Sequence, residues 1–138
     1  MTFPDNSSAH LEIIGTRVSG VPVLAPEGEL DTWTVASPAW TTAVAQACSD
    51  SGADTVVLDL RRLYFLDAAG LMALEEFAAA LGRSKRRLVL AGVRPRIRQF
   101  LRDTCANIAL AGHSVEEAVA SAAVRVPSLL VPAEAGAR

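Results

Sequence analysis

TVVLDLRRLYFLDAAGLMALEEFAAAL, residues 55–81, is the stretch that decides the fold of this chain. Its first part, Thr55 to Leu60, combines β-branched residues and leucines around a single acid, which predicts a short buried strand. A second apolar run, Leu63 to Leu66, leads into Asp67, whose carboxylate can accept hydrogen bonds from the free N–H groups of a helix start. Apolar residues then recur at helical spacing as far as Gly82, a natural stop. The stretch therefore predicts a strand, a tight turn and an amphipathic helix.

The segments on either side of this unit alternate between strands and helices. Two strands joined at Ser19-Gly20 come first, and Pro22 and Pro26 indicate that the second of them lies at a sheet edge or ends there. The predicted elements are the strands Leu11–Val18, Val21–Glu27, Arg87–Ala91 and Asn107–Leu110, the loop GELDTWTVAS, a helix Pro38–Ser49 after the N-cap Ser37, a helix from Pro95, and a last helix from the capping box of Ser114 and Glu117. This order predicts one α/β domain, with a mixed sheet of about four to five strands and about four helices packed on it.

Length and composition predict a single domain without a membrane-spanning segment. The 138 residues suffice for a core without disulfides or metal. No apolar run approaches the roughly 18 residues that cross a bilayer, and Met1–Ala9 lacks a basic start, which argues against membrane insertion and a signal peptide. We therefore expect a cytoplasmic protein with tails at residues 1–10 and 125–138 and a folded domain at residues 11–124.

The two cysteines give no sign of a metal or redox site. Cys48 and Cys105 lie far apart in the sequence and share no CxxC spacing. Cys48 falls on the apolar stripe of the first predicted helix, together with Trp40, Val44 and Ala47. Buried reduced thiols are therefore predicted, and no metal or cofactor is expected.

Charge is divided unevenly along the chain. Residues 1–60 carry eight acids against Arg17 alone, whereas residues 61–102 carry ten bases against three acids. Such runs are typical of solvated helix and loop surface, and nucleic-acid binding is not predicted because stacking aromatics and a DNA-binding motif are both missing. A protein partner of complementary charge stays open. The twelve arginines against one lysine are typical of a GC-rich bacterial genome.

Motifs for catalysis are also missing from the sequence. It contains no GxSxG, Walker or HExxH pattern and no paired carboxylates at helical spacing beside a histidine. Glu75 and Glu76 are neighbours in sequence, so they point in different directions around a helix. The sequence therefore predicts a binding protein rather than an enzyme.

Three motifs in order resemble one family. LDLRRLYFLDAAGLMAL at residues 58–74 resembles the signature of STAS domains, above all the bacterial anti-sigma factor antagonists, which usually have Asp-Ser-Ser-Gly or Asp-Ser-Thr-Gly between an apolar strand and an apolar helix. The resemblance extends to GELD at Gly28–Asp31 and to RLVLAGVRPRIRQFL at Arg87–Leu101. It implies that the fold brings GELDTW and DAAGLM side by side, forming a surface that binds an anti-sigma factor with a serine-kinase fold.

The resemblance also implies which residues form this partner-binding surface. They are Gly28, Glu29, Leu30, Asp31, Trp33, Asp67, Ala68, Ala69, Gly70, Leu71 and Met72. Leu71 and Met72 are expected to present apolar surface, and Trp33 either anchors the interface or covers the edge of the core.

One departure from the family pattern changes the expected regulation. In the family, phosphorylation of the Ser or Thr just before the Gly blocks docking. That position is Ala69 here, and Ala68 precedes it. Because alanine has no hydroxyl, neither residue can accept a phosphate. The sequence therefore predicts an antagonist that binds its partner independently of phosphorylation.

Two other functions fit the same resemblance. STAS domains also serve as small cytoplasmic subunits of membrane lipid transporters, where they dock on an ATPase. A nucleotide or another small ligand could instead bind near Asp31 and Asp67, although two acids would repel a phosphate. The sequence does not decide whether the chain forms a homodimer.

Overall fold

A mixed sheet with helices on both faces forms the protein, which is seen in a computed structural model that describes residues 10–50, 52–104, 108–110 and 114–122. The strands are β1 (Leu11–Val18), β2 (Val21–Leu30), β3 (Thr55–Asp59), β4 (Leu63–Leu66), β5 (Arg87–Ala91) and β6 (Ala109–Leu110), and the helices are α1 (Pro38–Ser49), α2 (Ala68–Gly82) and α3 (Pro95–Asp103). Residues 115–122 form a fourth helix, α4. The predicted α/β fold with a mixed sheet is confirmed, and β4 joins the five strands expected from the sequence.

The strands are ordered β1-β2-β3-β5-β6, and β4 pairs with β2 beyond the end of β3. The hairpin of β1 and β2 is antiparallel and turns at Ser19-Gly20, as predicted, while the remaining pairs are parallel. β2 therefore has neighbours on both sides, and the edge position expected from its prolines is wrong for Pro26. This residue lies between Leu24, which pairs with β3, and Gly28, which pairs with β4, so its missing N–H falls where β2 changes partner.

The register between β2 and β4 shifts at the end of β2, where Gly28 pairs with Leu63 and Glu29 pairs with Phe65. Gly28 has a φ of 122°, and a Cβ there would lie 2.4 Å from the backbone oxygen of His10. Only glycine fits such a position without strain. β2 continues to Leu30, so the loop begins at Asp31 rather than at Gly28, where the sequence predicted it.

Two hydrophobic clusters hold the helices on the sheet. The larger cluster contains the buried side chains of α1, α2 and α3, including Trp40 and Phe77, whose rings meet edge to face at 5.9 Å. The smaller cluster packs α4 against the other face through valines and alanines. The face with α1 and α2 is the one on which the two family motifs meet.

Two helix starts follow the predicted chemistry. The Ser37 hydroxyl accepts from the Trp40 N–H at 3.4 Å, with Pro38 as the first residue of α1. The capping box before α4 is confirmed, because the Ser114 N–H donates to Glu117 Oε1 at 3.2 Å and the Glu117 N–H donates to Ser114 Oγ at 3.1 Å. Local side chains thus fix where these helices begin.

One arginine of the basic run is part of the core rather than of the solvated surface. Arg86 is only 8% exposed, and its guanidinium donates to the backbone oxygens of Ala53 at 2.7 Å and Ala47 at 2.8 Å. Ala47 lies in the last turn of α1, whose carbonyl groups carry partial negative charge. Arg86 therefore ties the end of α1 to the sheet, a role that the charge count could not reveal.

Some expectations lie outside the described residues. Cys48 is a half-buried free thiol, whereas Cys105, the predicted strand start at Asn107, residues 1–9 of the expected N-terminal tail and the expected C-terminal tail are not described. No helix of the described ranges is both long and apolar enough to span a membrane.

Candidate functional site

A single carboxylate joins the two segments that the sequence analysis assigned to one surface. Asp67 precedes α2, and its Oδ1 accepts from the Gly70 N–H at 2.9 Å, so it is the N-cap that the sequence predicts. Its Oδ2 accepts from both the N–H and the hydroxyl of Thr32 at 3.2 Å. The loop after β2 and the turn before α2 are therefore tied together through Asp67.

The same hydrogen bonds keep Asp67 ionised. Partial burial raises the pKa of this carboxyl, but the donors from Gly70, Thr32 and Ala69 outweigh burial and hold the pKa below its ordinary value. The helix N-terminus also favours negative charge at this position.

Gly70 brings α2 against the end of β2. A Cβ at this residue would lie 2.1 Å from the backbone oxygen of Leu30 and 2.7 Å from Leu66 Cδ1. No side chain fits at such a distance from a backbone atom, so the first turn of α2 can approach β2 this closely only with glycine. The close packing of GELD on DAAG thus depends on Gly70.

Asp31 organises the loop rather than a ligand site. Its side chain is 6% exposed, and Oδ1 accepts from the N–H groups of Trp33 at 2.9 Å and Thr34 at 3.1 Å. Such a turn holds the loop that presents Trp33. Among the described residues, no group of three or more His, Cys, Asp and Glu side chains could hold a metal ion.

The surface itself is made by fewer residues than the sequence analysis named. Trp33 is 77% exposed and Met72 is 59% exposed, and Ala68 is also exposed. The alternative in which Trp33 covers the core edge is therefore wrong. Leu71 is only 7% exposed and packs in the larger core cluster, so the expectation that it presents apolar surface is also wrong. Its position on the inner face of α2 outweighs its nearness to the turn.

The remaining residues assigned to the surface are buried or half-buried and support the exposed ones. Gly28, Leu30 and Gly70 are buried, and Glu29, Asp67 and Ala69 are half-buried. Together they hold the loop and the turn, while Trp33, Ala68 and Met72 meet the solvent.

A groove that the sequence does not reveal lies beside this surface. It lies between α1 and α2 and has a volume of about 470 Å³. The lining residues are Val35, Trp40, Thr41, Val44, Ala45, Ala69, Met72, Ala73 and Glu76. The sequence placed Trp40 and Val44 on the inward stripe of α1, but nothing in that pattern shows that two helices leave a groove between them.

Replacement of Asp67 by alanine tests the junction directly. We expect Asp67→Ala to lower the free energy of unfolding by about 1 kcal/mol at neutral pH, because the Gly70 and Thr32 donors lose their acceptor. The folded pKa lies below the unfolded value of 3.8, so the stabilisation is complete above that value and is lost as the pH falls through the folded pKa.

Urea denaturation at neutral pH and at acid pH measures both parts of this prediction. Asp67→Asn is the matched control, because its amide oxygen can still cap α2 but does not titrate. A difference between wild type and Asp67→Ala that stays constant down to strongly acid pH would contradict the assigned role of the carboxylate.

Comparisons with known proteins agree with this geometry. The model of the STAS domain family matches residues 13–118. No curated protein sequence matches the chain. An anti-sigma factor antagonist from Mycobacterium paratuberculosis has a similar structure, with 23% identity, a TM-score of 0.69, and coverage of 88% of this chain and 98% of that one.

Two further solved structures share the fold. The anti-sigma factor antagonist SpoIIAA of Bacillus, in its unphosphorylated form, has 19% identity and a TM-score of 0.60 over 81% of this chain and 96% of that one. The murine anion transporter Slc26a9 has 17% identity and a TM-score of 0.62 over 78% of this chain but only 18% of its own. At these identities the likeness shows the fold, and the family match over residues 13–118 shows that the chain belongs to the STAS domain family.

Proposed function

We propose that this protein is an anti-sigma factor antagonist that binds its partner without a phosphorylation switch. The observation that carries the proposal is the junction at Asp67, which holds the loop after β2 against a turn that has alanine at both positions before Gly70. The proposed partner is an anti-sigma factor with a serine-kinase fold. The role is one of binding, with no catalytic step.

The exposed side chains around the junction support a protein partner. Trp33 and Met72 are large apolar side chains exposed to solvent. Trp33 belongs to the loop after β2 and Met72 to α2, the two segments that Asp67 joins. Exposed aromatic and methionine side chains are enriched at protein interfaces, and tryptophan is frequent among the residues that dominate binding energy. The rigid loop and the capped helix would present both groups with little loss of conformational entropy on binding.

The alanine positions support the proposed regulation. Ala69 is half-buried at the first turn of α2, and Ala68 beside it is exposed. A phosphate on this turn would add about −1.5 to −2 charges to a docking surface. With no hydroxyl at either residue, that means of release is not available, and the protein would bind constitutively or respond to another signal.

A pull-down from the cytoplasm of the source cell tests the proposal. We expect wild-type protein to retain a kinase-fold anti-sigma factor, identified by mass spectrometry. We expect Ala69→Asp to bind it at least about tenfold more weakly in calorimetry, because Ala69 is half-buried and a carboxylate there must lose its hydration when the partner covers it. The matched control is Ala79→Asp, which makes the same change at an exposed position further along α2.

The two variants separate the outcomes. Equal loss of binding with Ala69→Asp and Ala79→Asp would point to a general effect on α2, and normal binding of Ala69→Asp would exclude this surface as the interface. Recovery of a transporter ATPase in place of an anti-sigma factor would contradict the proposal and favour a transporter subunit.

A further inference from the structure

The groove between α1 and α2 is built from two facing stripes. Residues of α2 contribute at positions i, i+3, i+4 and i+7, which share one face of a helix. These four are Ala69, Met72, Ala73 and Glu76, and α1 contributes Trp40, Thr41, Val44 and Ala45 from its own facing side. Alanines on both walls keep the groove about 470 Å³ in volume, and most of its lining is apolar.

The charges around this groove have one sign. α1 contains no charged residue, and the only charged residues of α2 are Glu75 and Glu76. Glu76 lines the groove directly, and the carboxylate of Asp67 stands before its first turn. No base of the described chain lies on either helix, so the charged side chains of the two groove walls are all acidic.

We propose that this groove receives one face of a partner helix whose apolar stripe is flanked by lysine or arginine. Two helices packed side by side leave a channel into which the side-chain ridge of a third helix fits. The lining residues of α2, from Ala69 to Glu76, span roughly 10 Å along the helix axis, long enough for about two turns of a partner helix. Basic residues beside the stripe then pair with Glu76 and with the acidic end of the groove.

This inference rests on the proposed function and names the part of the regulator that would contact the protein. Ala69 lies both in the groove lining and in the position of the lost phosphoacceptor. A phosphate at that residue would stand in the mouth of the groove, where its bulk and its hydration would obstruct the apolar stripe of the partner helix. A bulky polar group at residue 69 is therefore expected to close the groove to a partner helix.

A labelled model helix tests the groove without knowledge of the natural partner. The probe is a fluorescein-labelled amphipathic peptide of about 18 residues, five helical turns, with leucine on one face and lysine on the other. We expect saturable binding to the full chain in fluorescence anisotropy, and at least about tenfold weaker binding to Ala45→Arg, which fills the groove and reverses its charge. Thr42→Arg is the control, because Thr42 is exposed on α1 but does not line the groove.

Each outcome decides the inference. Loss of binding in Ala45→Arg but not in Thr42→Arg, together with no binding of the same peptide carrying glutamate for lysine, supports the groove. Equal binding of the two peptides, equal effects of the two arginines, or no binding of the lysine peptide up to about 1 mM overturns it.

The recovered regulator distinguishes this inference from the proposed function. If Ala69→Asp weakens binding of the regulator and Ala45→Arg does not, the antagonist function stands and the groove is not the docking site. If the pull-down retains no anti-sigma factor while the lysine peptide still binds in the groove, the groove stands and the antagonist function fails.

Discussion

Gly70→Ala is expected to destabilise the protein by about 2–3 kcal/mol, although alanine is the better helix former by about 1 kcal/mol. The added Cβ would lie 2.1 Å from the backbone oxygen of Leu30, far inside van der Waals contact. Because this neighbour is backbone in a paired strand, it cannot move aside as a flexible side chain would. The first turn of α2 must shift instead, which strains the bonds from Thr32 to Asp67.

Chemical denaturation of the full chain measures this effect as a lower midpoint with an unchanged slope. The matched control is Gly82→Ala at the last residue of the same helix, where a Cβ meets nothing within 4 Å. We expect Gly82→Ala to be neutral or slightly stabilising. Equal stability of the two variants would show that the close contact between Gly70 and β2 is absent in solution.

We also expect Gly70→Ala to weaken partner binding in conditions where it is fully folded. Its effect would come from displacement of the turn relative to the loop that carries Trp33. Calorimetry with the recovered regulator at low temperature separates this loss from unfolding, because the folded fraction can be checked in the same sample.

Local signals explain how much of the fold could be predicted from the sequence. Asp67, Ser37 and the Ser114 capping box each act within a few residues, so their hydrogen bonds follow from spacing alone. The parallel β3-β5 pairing follows from the alternation of strands and helices. The capping hydrogen bonds depend on neighbours in sequence, and the structure confirms them.

Features that depend on distant contacts could not be predicted in this way. The pairing of β4 with β2 and the register shift at Gly28 place Leu30 beside Gly70. Nothing in the sequence of either strand indicates that the two strands pair. Arg86 is buried because it meets carbonyl groups of α1, 39 residues away in sequence. Propensity and charge patterns contain no information on such contacts.

The candidate site also has a part that the sequence predicts and a part that depends on tertiary packing. The family resemblance identified both segments, but it assigned all eleven residues to one surface. Burial separates them, since Leu71 faces the core and the next residue, Met72, faces solvent. The groove could not be predicted from the sequence, because it depends on the distance between α1 and α2 rather than on the apolar stripe of either helix.

Ala69→Ser should give this protein the switch that its sequence lacks. The hydroxyl would lie in the first turn of α2, where serine costs little stability and where the helix N-terminus favours an added phosphate. We expect the unmodified variant to bind the regulator within about twofold of wild type, because one oxygen changes little of the surface. With ATP present, phosphorylation by a kinase-fold partner should weaken its binding by at least about 100-fold, which exceeds the effect of the single charge in Ala69→Asp.

Surface plasmon resonance with and without ATP, combined with intact-mass measurement, follows release and modification together. Wild type should show neither, since positions 68 and 69 carry no hydroxyl. Ala68→Ser is the matched control, because it places the same group one residue earlier, on an exposed position rotated about 100° around the helix. ATP-dependent release of Ala68→Ser but not of Ala69→Ser would show that the acceptor position is misassigned. Release of wild type by ATP would show that regulation acts through another residue, because residues 68 and 69 of wild type carry no group that accepts a phosphate.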